Sequence, residues 1–209
     1  MAVNSELPRL PPGAFAKEDG ARDALFYAFP RFETHIDDAA IAALTAFYRE
    51  ALPTGGVLLD LMSIWVSHLP GDVDYAEVVG HGMSAAELAA NPRLTRWFVQ
   101  DFNQDPRLPL ADASMDAAMI CVGIQYLQQP IAVLADIARV LRPGAPLVVS
   151  FSNRCFPTKA VAVWLALNDH DHARLVEHYF HGAGFGHVEI HRLTDGRASD
   201  PLTAVLGRA

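Results

Sequence analysis

The sequence predicts an α/β fold with a mainly parallel sheet, and three observations lead to this prediction. Apolar runs fit for strands alternate with helical patterns over the first 150 residues. The runs that begin at Val57 and Ala117 are almost continuously apolar, which is typical of strands covered on both faces. Two closing strands, 187–193 and 202–207, have no helical pattern between them, so the last strand is expected to enter antiparallel.

The composition indicates one soluble domain. The chain has 209 residues, of which 51% are hydrophobic and 19% are charged. The net charge of −8, with no cluster of Lys and Arg, argues against a nucleic-acid partner. We expect a cytoplasmic protein without a membrane partner, because no signal-peptide pattern and no apolar run of about 20 residues is visible. Cys121 and Cys155 suit a reducing compartment, and the oligomeric state stays open.

The first half of the chain contains clear start and stop signals. Residues up to about 25 are rich in Pro and Gly and are expected to be extended or loose. Asp37 precedes a helical apolar stripe that stops before the first strand. Ser84 and Glu87 form a capping-box pattern, in which the glutamate reaches back to the first turn. We divide the chain into an N-terminal extension or lid, 1–35, and a single domain, 36–209.

The second half continues the alternation. Strands are predicted at 117–122 and 146–151, and helical stretches at 159–167 and 169–180. Pro130 suits the first turn of the helix between the two strands. The inner face of that helix is predicted to comprise four apolar side chains, namely Ile131, Leu134, Ala138 and Leu141.

Two motifs carry a resemblance to a known family. Residues 108–116, LPLADASMD, resemble the LPF-x-D-x-SFD stretch of class I S-adenosylmethionine-dependent methyltransferases of the type 11 group. Residues 140–144, VLRPG, resemble the VLKPGG turn of the same group. The resemblance implies a Rossmann-like three-layer sandwich with a seven-stranded, mainly parallel sheet and an antiparallel last strand. It also implies S-adenosylmethionine as the cofactor.

The expected cofactor loop departs from the family pattern. Residues 60–66, DLMSIWV, lie over D-L-G-x-G-x-G, and all three glycines are missing. Because only glycine adopts positive φ freely, the bulky side chains remove that freedom. Either the loop takes another path, with the cofactor resting against Met62, Ser63 and Trp65, or these side chains fill the cavity. Trp65 is expected to form a pocket wall; it could instead stack on an adenine or a substrate ring, or belong to the core.

The resemblance implies cofactor contacts at the ends of three strands. Asp60 would hold the ammonium of the methionine moiety, or simply cap nearby backbone groups. Gly82 stands where the family has the ribose-binding acid, so His81 could replace one ribose contact or be a plain strand-end histidine. Asp101 and the backbone of Phe102 would read the adenine.

The remaining predictions concern the methyl acceptor. The segment from Gly123 follows the fourth strand, where the family's substrate and methyl group meet, so Tyr126 or Gln125 would orient the nucleophile. Asn153 and Arg154, past the fifth strand, would bind an anionic or carbonyl group of the substrate. Capping of backbone groups explains all four side chains equally well.

The leading hypothesis is a methyltransferase-like protein that acts on a small molecule. Its rival is a non-catalytic binding or assembly module whose pocket is filled by the side chains of the altered loop. A third reading is a different nucleotide or metabolite in the same crevice. No metal site is predicted, because the histidines between 170 and 181 lack a second pair at ligand spacing.

Overall fold

The computed structural model describes residues 10–209, which form a seven-stranded sheet in the order β3-β2-β1-β4-β5-β7-β6. The strands are β1 (Val57–Leu61), β2 (Glu77–Gly82), β3 (Arg96–Val99), β4 (Ala117–Cys121), β5 (Pro146–Ser152), β6 (Val188–Thr194) and β7 (Leu202–Arg208). β7 pairs antiparallel with both β5 and β6, whereas the other pairs are parallel. The predicted fold class is therefore confirmed, including the antiparallel last strand.

Helices cover both faces of the sheet. They are α1 (Asp23–Phe26), α2 (Asp38–Ala51), α3 (Ala85–Ala90), α4 (Pro130–Val140), α5 (Ala162–Leu165) and α6 (Asp169–Gly182). One apolar cluster joins the sheet to α4 and α6, and the other joins it to α2. Successive side chains of β1 alternate between these clusters, Leu58 toward α2 and Leu59 toward α4 and α6. This alternation produces the three layers.

The inner face of α4 differs from the predicted one. Val133, Leu134 and Ile137 are fully buried, whereas Ile131 is only partly buried. Ile131 instead packs against Gly182 of α6, where an added Cβ would lie 2.9 Å from its Cδ1. The stripe is displaced because α4 contacts both the sheet and α6, so that two of its faces are covered.

The capping box of α3 forms only in part. The N–H of Glu87 lies 3.4 Å from Ser84 Oγ, as the pattern predicts. The Glu87 carboxylate, however, accepts from the backbone N–H of Arg31 at 2.8 Å. This acid therefore connects the N-terminal segment to α3.

The N-terminal segment from residue 10 onward is attached to the domain rather than loose, and residues 1–9 lie outside the described part of the chain. Lys159 has no exposed surface, and its Nζ lies 3.0 Å from Asp19 Oδ2 and 3.3 Å from Asp23 Oδ1. Lys17 Nζ contacts the other oxygen of Asp23 at 2.5 Å. The expectation of a loose stretch up to residue 25 is wrong for the described residues, because buried charges need these partners.

Candidate functional site

A cleft lies where the carboxyl ends of β1, β2, β3 and β4 meet, at the position expected for ligands of such sheets. Its cavity volume is about 90 Å³, and it opens to solvent at its mouth. The segment before α2 forms its roof through Asp23, Tyr27, Arg31 and His35. Eight of the predicted site residues line the cleft, namely Met62, Ser63, His81, Gly82, Asp101, Phe102, Gly123 and Tyr126.

The loop after β1 retains the backbone shape that a glycine would give it. Met62 has a φ of +54°, in the left-handed region, which costs a non-glycine residue about 1–2 kcal/mol. Its side chain packs against Gly123, where an added Cβ would lie 2.9 Å from Met62 Cβ. Met62 and Ile64 line the cleft without closing it. The loop thus follows a glycine-like path at its first turn, with a thioether in the wall.

The strain at Met62 predicts a small effect of Met62→Gly on stability. Glycine relieves about 1–2 kcal/mol of backbone strain, which offsets most of the lost packing of a half-buried side chain. We expect the free energy of unfolding, measured by urea denaturation, to change by less than about 1 kcal/mol. Met83, also half-buried and without positive φ, is the control, and Met83→Gly should cost more. Equal losses in the two variants would contradict the strained loop.

The same loop lies directly on the end of β2. The Ser63 N–H donates to the His81 carbonyl at 2.7 Å, and the Met62 N–H donates to His81 Nδ1 at 3.1 Å. A Cβ added to Gly82 would lie 2.5 Å from the Ser63 carbonyl oxygen. No side chain fits at Gly82, so the path of the loop accounts for the missing ribose-binding acid.

His81 bridges the loop and β3, and has no nitrogen free for a ligand. While Nδ1 accepts from Met62, Nε2–H donates to the Gln100 carbonyl at 2.9 Å. Burial lowers the pKa of His81 to about 4, so the ring is neutral. It stacks on Phe102 with centroids 3.9 Å apart. The prediction that His81 replaces a ribose contact is therefore not supported by its hydrogen bonds.

Asp60 lies behind the cleft rather than in its wall. Its Oδ2 accepts from Ser63 Oγ at 2.6 Å and from Ser67 Oγ at 2.5 Å. Asn91 Nδ2 donates to Ser67 Oγ at 2.9 Å. Burial raises the pKa of Asp60 to about 7. Asp60 is thus not placed to hold an ammonium in the cleft, and instead fixes the loop after β1.

Four other predicted side chains also lie outside the cleft. Trp65 Nε1 donates to the Glu33 carbonyl at 3.1 Å, so the indole supports the roof segment. Gln125 is buried and donates to the Val122 carbonyl at 2.9 Å. Arg154 is exposed and pairs with Asp200, and its neighbour Asn153 is exposed as well. The chain after β5 reaches the cleft only at Phe156.

Tyr126 is the predicted acceptor-orienting residue that does reach the cleft. It is 8% exposed, and its oxygen accepts from the Phe156 N–H at 2.9 Å. Burial raises the pKa of Tyr126 to about 12, so the phenol stays protonated. Its hydroxyl proton is available to a bound molecule, which suits a positioning role.

Two important residues were missed by sequence reasoning because they come from irregular segments. Arg31 lies over the ring of Phe26, with Cζ 4.4 Å from the centroid. Its NH2 donates to the Phe26 carbonyl at 3.1 Å, but its buried NH1 has no hydrogen-bond partner among residues 10–209. The second is His68, which also lines the cleft. The motif WVSHLP, residues 65–70, contains His68 and was the only sequence signal for it.

Comparison with known proteins agrees with the geometry. Residues 64–149 match the family model described as a methyltransferase domain, type 11. Over this stretch the chain is similar to methyltransferases of this type. The match begins after Asp60 and Met62, so the altered first part of the loop falls outside it.

Curated relatives match short parts of the chain. It is 36% identical to a malonyl-[acyl-carrier protein] O-methyltransferase of Hahella chejuensis over 81 residues, 39% of this chain and 24% of the relative. It is 48% identical to a demethylmenaquinone methyltransferase of a Mycobacterium species over 56 residues, 25% of this chain and 24% of the relative. The chain therefore aligns with about a quarter of the length of these relatives.

Solved structures support the fold over a longer stretch. An S-adenosylmethionine-dependent methyltransferase from Mesorhizobium loti matches with a TM-score of 0.54 and 18% identity, covering 80% of this chain and 98% of that one. One from Aquifex aeolicus matches with a TM-score of 0.56 and 16% identity, covering 81% and 90%. At these identities the likeness concerns the fold.

S-adenosylmethionine is the cofactor that this family and fold imply. The cleft suits its two ends, because an unpartnered guanidinium nitrogen of Arg31 matches a carboxylate and Asp101 matches an adenine amino group. The middle differs, since Gly82 offers no acid for the ribose.

Between residues 10 and 209, no helix is long and apolar enough to span a membrane. In the same part of the chain, no three His, Cys, Asp or Glu side chains are grouped so that they could hold a metal ion.

Proposed function

We propose that the protein transfers a methyl group from S-adenosylmethionine to a small molecule bound in the cleft. The observation that carries this proposal is the buried NH1 of Arg31, which has no partner in the described chain and belongs to a residue that lines the cleft. A buried donor without a partner costs about 1–3 kcal/mol, so an anionic group that pairs with it binds favourably. The carboxylate of the methionine moiety is such a group.

The adenine end is assigned to the turn after β3. Asp101 Oδ1 accepts from the Asn103 N–H at 2.9 Å, which fixes the orientation of the carboxylate. The second oxygen has no hydrogen-bond partner in the described residues and accepts the adenine amino group in this proposal. The stacked rings of Phe102 and His81 support this turn from below.

In this proposal the protein positions the two reactants and keeps water away from them. S-adenosylmethionine supplies an electrophilic methyl group on a sulfonium, and such a transfer depends mainly on alignment with the acceptor. Apolar side chains that exclude water line much of the cleft, namely Ile64, Val66, Val122, Leu127 and Phe156. The segment before α2 covers them, and we propose that this segment, part of the predicted 1–35 lid, opens for ligand entry.

The proposal predicts that Arg31 is needed for cofactor binding. Replacing Arg31 by Met removes a charge-assisted hydrogen bond, so the Kd of S-adenosylhomocysteine should rise about 10- to 100-fold in calorimetry. Arg197→Met is the matched control, because that side chain is 90% exposed and lies outside the cleft. An unchanged Kd in Arg31→Met would contradict the assignment of the carboxylate, and no binding to the natural protein at millimolar ligand would contradict the function itself.

The rival is a module with a filled pocket, and the placement of three side chains counts against it. It requires the side chains at positions 62, 64 and 65 to plug the hollow. Met62 and Ile64 instead form part of its wall, and Trp65 points to the roof segment.

A further inference from the structure

His68 is a buried imidazole that no part of the proposed cofactor site uses. It lines the cleft and is 8% exposed. Neither ring nitrogen is hydrogen-bonded to another of residues 10–209, although the backbone carbonyl accepts from Thr45 Oγ1 at 2.9 Å. Burial lowers the pKa of His68 to about 4, so the ring is neutral and one nitrogen is a free acceptor.

The backbone of His68 is held in an unfavourable conformation. Its φ of +55° lies in the left-handed region, which is uncommon outside glycine and asparagine. Such strain persists only where the surroundings impose it, and it concentrates at functional sites. The conformation and the unused ring nitrogens are two independent observations on one residue.

Aromatic side chains line the same cleft as His68. Phe156 lies in the same cleft, stacked against Tyr126 with centroids 6.1 Å apart, and packs edge-on against His35 at 5.6 Å. Burial also lowers the pKa of His35. A positive charge on His35 lowers the pKa of His68. The other ionisable side chains that line the cleft are Asp23, Tyr27, Arg31, His81, Glu87, Asp101, Cys121 and Tyr126.

We propose that His68 accepts the proton of the methyl acceptor, and that the acceptor is a flat aromatic compound with a phenol-type hydroxyl group. This inference rests on the proposed function and adds the class of the acceptor. A neutral imidazole without a protein partner suits a hydroxyl donor, and aromatic walls suit a ring.

The step balances without a further reactant. The acceptor oxygen uses a lone pair to form the new C–O bond, while the S–C bond breaks and its electron pair remains on sulfur. The O–H bond of the acceptor breaks, and its proton moves to the free nitrogen of His68. The imidazolium then releases the proton to solvent, and no group is oxidised or reduced.

The test uses His68→Asn in the full chain. Asparagine tolerates the left-handed backbone but cannot take up a proton, so the fold should persist while the base is lost. His187→Asn is the control, because its side chain is 69% exposed and lies outside the cleft. The probes are 2-naphthol and its methyl ether, added to protein saturated with S-adenosylhomocysteine. ¹⁵N-histidine NMR reports the His68 ring, and calorimetry reports affinity.

We expect 2-naphthol to shift the His68 ring resonances and to bind the natural protein about tenfold more tightly than its methyl ether, which cannot donate a proton. In His68→Asn the preference for 2-naphthol over its methyl ether should fall at least threefold. The affinity for S-adenosylhomocysteine should not change. The proposal is overturned if the naphthol leaves the His68 resonances unmoved, fails to bind, or keeps its full preference in the variant. If the natural protein does not bind S-adenosylhomocysteine at all, that result counts against the proposed function instead.

Discussion

The Asp60→Asn protein is expected to be more stable than the natural protein at pH 8, and about equally stable near pH 4. Burial raises the pKa of Asp60 to about 7 in the folded state, whereas an unfolded aspartate has a pKa of about 3.9. Because the pKa is higher in the folded state, protonated Asp60 stabilises the folded protein fully below the unfolded pKa. This stability is lost as the pH rises from the unfolded pKa through the folded pKa. The expected loss is about 1.4 kcal/mol per pH unit between about pH 4 and 7, and about 4 kcal/mol in all.

Asparagine keeps an oxygen that can accept from Ser63 and Ser67 but does not ionise, so this slope should disappear. Urea denaturation of both proteins at pH 4, 5, 6, 7 and 8 measures it. Asp38→Asn, at an exposed position in α2, is the control and should keep the slope of the natural protein. Parallel stability curves for the natural protein and Asp60→Asn would show that Asp60 ionises normally.

Gly82→Ala is expected to lower the free energy of unfolding by about 2–3 kcal/mol. The new Cβ would lie 2.5 Å from the Ser63 carbonyl oxygen, and a backbone atom cannot move aside as a flexible side chain can. The Ser63 N–H is bonded to the His81 carbonyl, so moving the loop would also break that bond. Chemical denaturation at pH 6 measures the effect.

Gly186→Ala is the matched control, because an added Cβ there meets no atom within 4 Å and the φ is not positive. Its stability should stay within about 0.5 kcal/mol of the natural protein. Gly82→Asp, which restores the acid of the family pattern, should be at least as unstable as Gly82→Ala. A fully stable Gly82→Asp protein would show that the loop does not lie on β2.

The strands could be predicted because their signals are local. Buried parallel strands need apolar runs, and turn residues such as those of the VLRPG motif separate them. The number of strands and the three layers were implied by the resemblance. The predicted residues at the ends of β2 and β3 reach the cleft because the register of a parallel sheet fixes where each strand ends.

The rest of the site could not be predicted, because it depends on irregular segments. Arg31 and His68 reach the cleft from loops whose paths are set by distant partners, such as the carboxylate of Glu87 that binds the Arg31 N–H. Asp60 was misjudged because Ser63, Ser67 and Asn91 come together only through tertiary folding. A strand-end acid gives no sign of whether its oxygens face a ligand or two serines.

A crystal structure of the full chain grown with millimolar S-adenosylhomocysteine tests the cofactor assignment most directly. We expect density in the cleft, with the carboxylate on Arg31, the adenine beside Asp101, and a ribose that makes no contact with an acid at position 82. An empty cleft in a lattice that leaves its mouth open, or a ligand bound away from the ends of β1 and β4, would contradict it.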